Sequence, residues 1–320
     1  MRILVTGASG MIGRGVAQAL IDRGDEVSVL QRRPSGLSCR EVLADVTDVA
    51  AVRRALTGHH AVVHCAAKVD VVGPYAEFEQ VNVGGTRALL DASLDRGVAR
   101  FVHVSTPSVA HAGRPLVGVG AEPADPEAAR GPYARTKAIA ELEALAADGP
   151  DLAVLAVRPH LVWGPGDTQL IERIVQRGSA GRLPAIGSGA ALIDSTYVDN
   201  AVDALVAAVD SSAHGEALVI SNGEPRPVVE MLARICAAAG VPGPRGRVPL
   251  PVAAAGGSAA EWVWQRLGRR DVPPLTRFMA EQLGTAHWFD QRHTREVLGW
   301  APRVSLDEGF VELRRWYASR

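Results

Sequence analysis

The chain is poor in lysine. Of its 34 cationic side chains in 320 residues, 32 are Arg and two are Lys, Lys68 and Lys137. Where Arg is used almost everywhere, the two Lys mark places suited to a compact ammonium instead of a planar guanidinium fork. Cysteine is also scarce. Cys39, Cys65 and Cys236 are far apart and odd in number. This argues against a disulfide framework and against a paired-cysteine zinc site, and no metal site is expected. It fits a reducing, cytoplasmic setting. Excess charge of one sign is missing as well. The formal net charge is −1, which gives nucleic acid no basic field to meet. Long apolar runs are absent. None reaches the roughly 20 residues a membrane helix requires. The first strand follows Met1-Arg2 directly, leaving no room for a signal peptide.

What remains is an ordinary globular composition, 47% hydrophobic and 22% charged, in a chain long enough for two lobes. Short Val/Ile/Leu-rich runs at Ile3–Thr6, Glu26–Leu30, Ala61–Cys65, Arg100–Ser105 and Leu152–Val157 read as strands. Helical patterns at Val49–Leu56, Val81–Arg96 and Tyr133–Ala147 separate them. This alternation predicts an α/β protein with a doubly wound parallel sheet of the Rossmann type. After Pro159 the pattern changes. Helices are predicted at Gln169–Arg177, Tyr197–Val209 and Val228–Ala239, with a strand at Ala217–Ile220 and a loop-rich stretch at Gly178–Ala191. The reading is a dinucleotide-binding domain over 1–165, to which 192–221 returns. A smaller, mostly C-terminal substrate lobe is formed by 166–191 and 222–320.

Gly7, Gly10 and Gly13 in the run Thr6–Gly13 sit between the first strand and the first helix. Glycine allows a tight turn and close approach of backbone to a pyrophosphate, and the helix amides that follow attract the phosphates. In this context the motif points to a dinucleotide, with Ser9, Met11 and Ile12 lining the turn. An acidic residue ending the second strand would favour NAD. The chain has Gln31-Arg32-Arg33 instead, and two guanidiniums suit a 2′-phosphate, so NADP is expected over NAD. Asp45 and Val46 follow the third strand. Asp45 suits the adenine amino group or a helix cap near Thr47.

Tyr133 and Lys137 are four residues apart on a predicted helix and so share a face. Thr106 follows the Phe101–Ser105 strand at its carboxyl end, where ligands bind in such sheets. The three make a set. Thr106 would hold a substrate oxygen, with Ser105 as an alternative. Tyr133 would exchange a proton with that oxygen. Lys137 would hold the nicotinamide ribose and lower the phenol pKa.

The run Gly7-x-x-Gly10-x-x-Gly13, Ser105-Thr106-Pro107-Ser108-Val109, Tyr133-x-x-x-Lys137, Val162-Trp163-Gly164-Pro165-Gly166-Asp167 and Tyr197-Val198-Asp199-Asn200 resembles the extended short-chain dehydrogenase/reductase family. The resemblance covers nearly the whole chain. It implies an enzyme in which Thr106, Tyr133 and Lys137 are catalytic. It also implies nicotinamide contacts from Pro159, Leu161 and Val162, cofactor contacts from Cys65, Ala66, Ala67, Lys68 and Asn82, and a homodimer paired through the helices at Val81–Arg96 and Tyr133–Ala147. The segment Cys65-Ala66-Ala67-Lys68 departs from the family's Asn-Ala-Ala-Gly and adds Lys68, suited to a phosphate, a ribose or a substrate carboxylate. Arg158–Asp167, Pro274–Phe278, His287–Asp290 and Leu298–Ser305 are most similar to the 3β-hydroxysteroid dehydrogenase branch and its bacterial 2-alkyl-3-oxoalkanoate reductases.

That branch implies reduction of a ketone, or oxidation of the secondary alcohol, on a lipophilic β-keto acid or steroid-like molecule. The uncharged run Val248–Ala260, with Trp262 and Trp264 beyond it, agrees, since a greasy wall suits such a substrate. The run is equally suited to a core helix of the lobe, and 248–264 is available to lean on a membrane or a partner. His160 and His287 are candidate acid/base groups, though a single His is more often structural. Two other functions compete. One is a sugar-nucleotide epimerase or dehydratase, which needs a basic pocket such as Arg173, Arg177, Arg182 and Arg245. The other is a regulator that binds NADP without turnover, for which an intact Thr106, Tyr133 and Lys137 would be superfluous.

Overall fold

A computed structural model describes residues 1–320 apart from Val71, Val72, Ala112, Arg270 and Val272. Seven short, mostly aliphatic runs form β1 (Arg2–Thr6), β2 (Glu26–Gln31), β3 (Arg40–Leu43), β4 (Ala61–His64), β5 (Arg100–Val104), β6 (Ala153–Pro159) and β7 (Glu216–Ile220). They lie in the order β7-β6-β5-β4-β1-β2-β3, every neighbouring pair parallel. This is the doubly wound sheet expected from the sequence. Successive side chains alternate between its two faces. Ile3, Val5, Val29 and Val63 enter one core, and Leu4, Leu30 and Val62 enter the other.

The first core is closed by α1 (Met11–Asp22), through Val16, Ala17 and Leu20, together with residues 198–210. The second is closed by α2 (Val49–Ala55), α3 (Gly85–Arg96) and α4 (Gly131–Ala146), through Val52, Leu89 and Ala144. The run Val198–Asp210, α5, packs beside α1 through Val202 and Leu205. Because β1 and β4 are neighbours while the chain leaves them in opposite directions across the sheet, a crevice opens at their carboxyl ends, the usual ligand position.

A second sheet was not foreseen. Its four strands are Arg226–Pro227, Leu192–Ile193, His287–Phe289 and Leu116–Val119, in that spatial order. It joins segments far apart in sequence, so that residues 116–119 pair with 287–289. The uncharged run expected at 248–260 forms one continuous helix with the tryptophans, Leu250–Arg266. It is not buried all round: Ala253 points inward, while Val252, Trp262 and Val263 are exposed. The C-terminal helix Leu306–Ala318 starts at a capping box of Ser305 and Glu308. It stacks Phe310 on Trp163 with ring centroids 4.6 Å apart, tying the end of the chain to the turn that follows β6.

Candidate active site

The carboxyl ends of β1, β4, β5 and β6 gather most of the residues singled out from the sequence. Gly7 stands at φ +74°, a left-handed conformation that favours glycine. A Cβ there would lie 2.8 Å from the Ala66 Cα and amide nitrogen. A Cβ on Gly13 would lie 2.5 Å from the Gly7 carbonyl oxygen. The backbone of the turn therefore presses against both the β4 loop and α1, and side chains are excluded from the cradle. Gly10 is the N-cap of α1 and supplies no side chain to the first-turn amides. The amides of Met11, Ile12 and Gly13 thus stay available for phosphate oxygens. The residues present fit a dinucleotide.

At the far end of the turn, Gln31 is buried and donates to Glu41 at 3.3 Å. Glu41 also accepts from the Ser35 amide at 2.8 Å and from the Ser35 hydroxyl. Hydrogen bonds from Ser35 hold its carboxyl below the ordinary range. Arg32 and Arg33 project outward, Arg32 reaching Asp45 only at 4.0 Å. Asp45 accepts from the Thr47 amide at 3.0 Å and its hydroxyl at 2.9 Å. It closes a turn, and the cap of α2 is Asp48. Val46 is buried beneath α3, close enough that a Cβ on Gly85 would touch it.

Thr106 caps the short 3₁₀ turn Pro107–Ala110. Its hydroxyl stands close enough to the Tyr133 phenol to influence it, donates to the Ser108 hydroxyl at 3.2 Å and accepts from the Ser108 amide at 3.3 Å. Ser105 has a buried hydroxyl with no partner among the described residues. Thr106, not Ser105, therefore stands with the phenol. Pro132 occupies the first turn of α4, where a missing N–H is harmless. Lys137 follows Tyr133 by one turn and is 2% exposed. Its ammonium donates to the Val104 carbonyl at 2.7 Å and to His103 Nε2 at 3.1 Å.

Burial pushes the Tyr133 phenol up to about 12, only partly opposed by the Thr106 hydroxyl. Burial brings the Lys137 ammonium down to about 8, with Glu141 opposing. The sequence led us to expect Lys137 to lower the phenol pKa. Here the ammonium is turned to Val104 and His103 instead, and desolvation governs the phenol.

A directed hydrogen-bond chain locks the floor of the site. Thr86 donates to the Asn82 carbonyl at 2.6 Å, so it accepts from His64 Nε2, 3.0 Å away. His64 is then left with a bare Nδ1, which accepts from Thr6 at 2.8 Å, and Thr6 accepts from the Ala66 amide at 3.1 Å. Burial holds His64 neutral, its pKa down to about 3. Asn82 lies in a π-helical turn, Glu79–Gly84, a distortion common at functional sites. Its side chain accepts from the Lys68 amide at 2.7 Å and donates to the Lys68 carbonyl at 3.1 Å and to Thr136 at 3.0 Å. One amide thus fixes the β4 loop, with Ala66 and Ala67, against the helix that carries Tyr133 and Lys137. Cys65 faces Lys137 and is pushed up to about 12 by burial, a protonated thiol.

Lys68 reaches the mouth of the site, but its ammonium is held by Asp70 at 2.9 Å and Glu77 at 3.2 Å. These partners satisfy it within the protein. In the loop Pro159–Val162, Leu161 has φ +40°, the one non-glycine residue with positive φ among the described residues. Such strain marks a position held by its surroundings, here Thr196, which takes the His160 and Leu161 carbonyls at 2.7 and 3.3 Å. His160 and His287 are brought together, His160 Nε2 lying 2.8 Å from His287 Nδ1.

Sequence reasoning missed His64, His103 and the pairing of Arg158 with Glu141. Their signal was present: an imidazole or a guanidinium inside an otherwise aliphatic buried strand needs a partner.

A glycine turn shaped for a pyrophosphate, with Thr106, Tyr133 and a buried Lys137 at the same sheet edge, defines an NAD(P)-dependent oxidoreductase. The chain belongs to the NAD dependent epimerase/dehydratase family, whose model matches residues 3–221. It is 40% identical over 98% of both chains to a 2-alkyl-3-oxoalkanoate reductase of Stenotrophomonas maltophilia. It is 31% identical to a 3β-hydroxysteroid dehydrogenase/Δ5→4-isomerase of Mycobacterium tuberculosis, over 99% of this chain and 90% of that one. Among solved structures it resembles MoeE5 in complex with UDP-glucose and NAD, with 26% identity and a TM-score of 0.78, over 100% of this chain and 99% of that one. It is an enzyme of the short-chain dehydrogenase/reductase type. No described helix is long and apolar enough to cross a membrane.

Proposed function

We propose that this enzyme uses NADPH to reduce the ketone of a lipophilic 2-alkyl-3-oxo acid to a secondary alcohol. One observation carries the reading: Tyr133 and the buried Lys137 lie one turn apart on α4, with Thr106 beside the phenol, which burial pushes up to about 12. It is fully protonated at neutral pH, the state in which it serves as an acid. When bound, the reduced nicotinamide supplies the hydride. On substrate binding the Thr106 hydroxyl turns its one proton from Ser108 to the ketone oxygen and polarises it. Tyr133 passes its phenolic proton to the same oxygen as the alcohol forms. Lys137, one turn along the same helix, lends the positive charge that stabilises the phenolate left behind. The neutral His64 chain and Asn82 keep these groups in place and add no competing charge.

NADP in preference to NAD is supported by the outward guanidiniums of Arg32 and Arg33, because Glu41 is already occupied by Ser35. The glycine turn, the Cys65–Lys68 loop and Pro159, Leu161 and Val162 complete the proposed cofactor site. The substrate is bound mainly by the lobe 166–191 with 222–320, laid over the domain 1–165 with 192–221. Leu94 on α3 and Leu142 on α4 are exposed, which supports pairing of two copies through these helices. The exposed Val252, Trp262 and Val263 support contact of 248–264 with a membrane surface or partner.

The sugar-nucleotide alternative has one observation in its favour. Arg173, Arg177 and Arg269 border a cavity of about 420 Å3 with Trp264. Arg177 is already tied to the Pro274 carbonyl at 2.5 Å and Arg269 to Asp271 at 2.7 Å. The test is NADPH absorbance with the purified enzyme against 2-alkyl-3-oxo acids, steroids and nucleotide sugars. The first class is expected to be turned over fastest. Turnover of nucleotide sugars alone would replace this reading with the alternative.

A further inference from the structure

Beyond the catalytic set, three histidines meet where the main sheet touches the second one. His160 follows β6, His287 lies on the strand His287–Phe289, and His111 follows the turn that Thr106 caps. All three are nine-tenths or more buried. Their rings are close, His160 and His287 at 4.9 Å and His111 and His287 at 6.4 Å between centroids. The protons on two of them can be placed. His287 Nε2 is 2.7 Å from the Gln282 carbonyl oxygen and must donate to it. Its Nδ1 is therefore an acceptor and receives the Nε2 proton of His160. These two rings satisfy each other and join the two sheets.

His111 is different. Its Nδ1 accepts from the Gly113 amide at 3.3 Å, which places its proton on Nε2. That N–H is buried and has no partner among the described residues. Gln282 Oε1 is in the same condition. Both residues line one small cavity with Ser108, Leu116, His160, His287 and Phe289. Its free volume is about 10 Å3, room for about one water or one small polar group. Buried donors left unpaired cost about 1–3 kcal/mol each, so this one is expected to meet a ligand atom.

Ser108 connects this cavity to the reaction, since its hydroxyl accepts from Thr106. It remains free to donate its own proton into the cavity. In a 3-oxo acid, one carbon separates the ketone from the carboxyl group. With the ketone oxygen at Thr106 and Tyr133, ordinary bond lengths carry the carboxylate roughly 3–5 Å further. Lys68, the cation that the sequence suggested for this task, is held by two carboxylates. We infer that the His111 Nε2–H and the Ser108 hydroxyl bind one oxygen of the substrate carboxylate, making His111 the residue that selects acids over neutral ketones. This rests on the proposed ketone reduction. A carboxylate oxygen there requires the Gln282 amide to present its nitrogen in place of the oxygen, an exchange of two sterically equivalent ends.

The charged or titratable groups around His111 are His160, His287, Glu281 and Arg130. Glu281 and Arg130 oppose each other, and burial keeps the three rings neutral. The site thus recognises the carboxylate by hydrogen bonds and not by a standing charge.

The test measures kcat and KM for a 2-alkyl-3-oxo acid and its methyl ester in wild type, His111→Phe and His111→Gln. His111→Phe keeps the ring volume and removes the donor. It is expected to raise KM for the acid at least 10-fold and to change KM for the ester less than twofold. His111→Gln, which returns an N–H near the Nε2 position, should restore a good part of the acid preference. Equal changes for acid and ester would overturn the assignment, as would an unchanged ratio. If His111→Phe is unfolded, the smaller and equally donor-free His111→Leu takes its place: a KM rise of at least 10-fold confined to the acid supports the assignment, and equal changes for both substrates overturn it. A wild type that reduces neither compound overturns the ketone-reductase reading and this inference with it.

Discussion

Removing the carboxylate of Glu141 should destabilise the enzyme more than almost any other single change of equal size. Glu141 and Arg158 are 0% and 2% exposed. Arg158 Nε donates to one carboxylate oxygen at 2.9 Å, its terminal nitrogen donates to the other, and its remaining nitrogen donates to the Glu122 carbonyl at 2.6 Å. Glu141→Gln leaves a buried guanidinium with half its partner. Breaking a buried pair in this way costs about 3–5 kcal/mol. With a urea dependence near ~3 kcal/mol per molar for a protein of this size, the midpoint should fall by about 1–1.7 M. The assay is urea unfolding followed by far-ultraviolet circular dichroism.

The double replacement Glu141→Leu with Arg158→Met removes both charges together. It should recover most of the loss, since an apolar pair of similar volume is nearly neutral. A shift under ~0.2 M for Glu141→Gln would refute this reasoning. So would a double variant no better than the single one, which would locate the cost in packing and not in the stranded charge. The same substitution should also depress Lys137 further, because Glu141 is the largest influence opposing its desolvation.

Replacing Arg32 and Arg33 with Ala should weaken NADPH binding at least 10-fold more than NADH binding, measured by quenching of protein fluorescence; equal losses would remove the 2′-phosphate role. Lys137 is lowered from 10.5 to about 8 in the folded protein. Between those values the unfolded chain binds the extra proton, so stability should rise with pH from about 8 to 10.5, by about 3 kcal/mol. Lys137→Met should flatten that rise in urea titrations; an unchanged slope would show that another group is responsible.

The main sheet was legible because its strands are buried on both faces and read as unbroken aliphatic runs. The glycine turn between β1 and α1 and the placing of Tyr133 and Lys137 one turn apart on a helix were legible because both depend on local spacing alone. The second sheet was not. Leu192–Ile193 and Arg226–Pro227 are two residues each, too short to show any period, and their pairing is set by distant segments. His160 and His287, 127 residues apart, each looked like a lone histidine, and only the tertiary fold makes them a pair. The short helix Tyr75–Phe78 was missed because the π-helical turn that follows it at 79–84 breaks the 3.6-residue rhythm. In Leu250–Arg266 the helical alternative holds through Gly256-Gly257. The reason for Gly257 is close approach: a Cβ there would lie 2.5 Å from the Arg277 amide nitrogen. The expected control of the phenol by Lys137 failed because spacing shows that two groups share a face, but not which neighbour the ammonium chooses.

The account turns on Tyr133 as the acid that protonates the ketone oxygen. The direct measurement is single-turnover oxidation of bound NADPH by a 2-alkyl-3-oxo acid in wild type and Tyr133→Phe, with NADPH affinity measured in parallel. A fall of about 10²–10⁴-fold in rate with cofactor affinity unchanged is predicted. A variant that turns over at the wild-type rate would mean that another group delivers the proton.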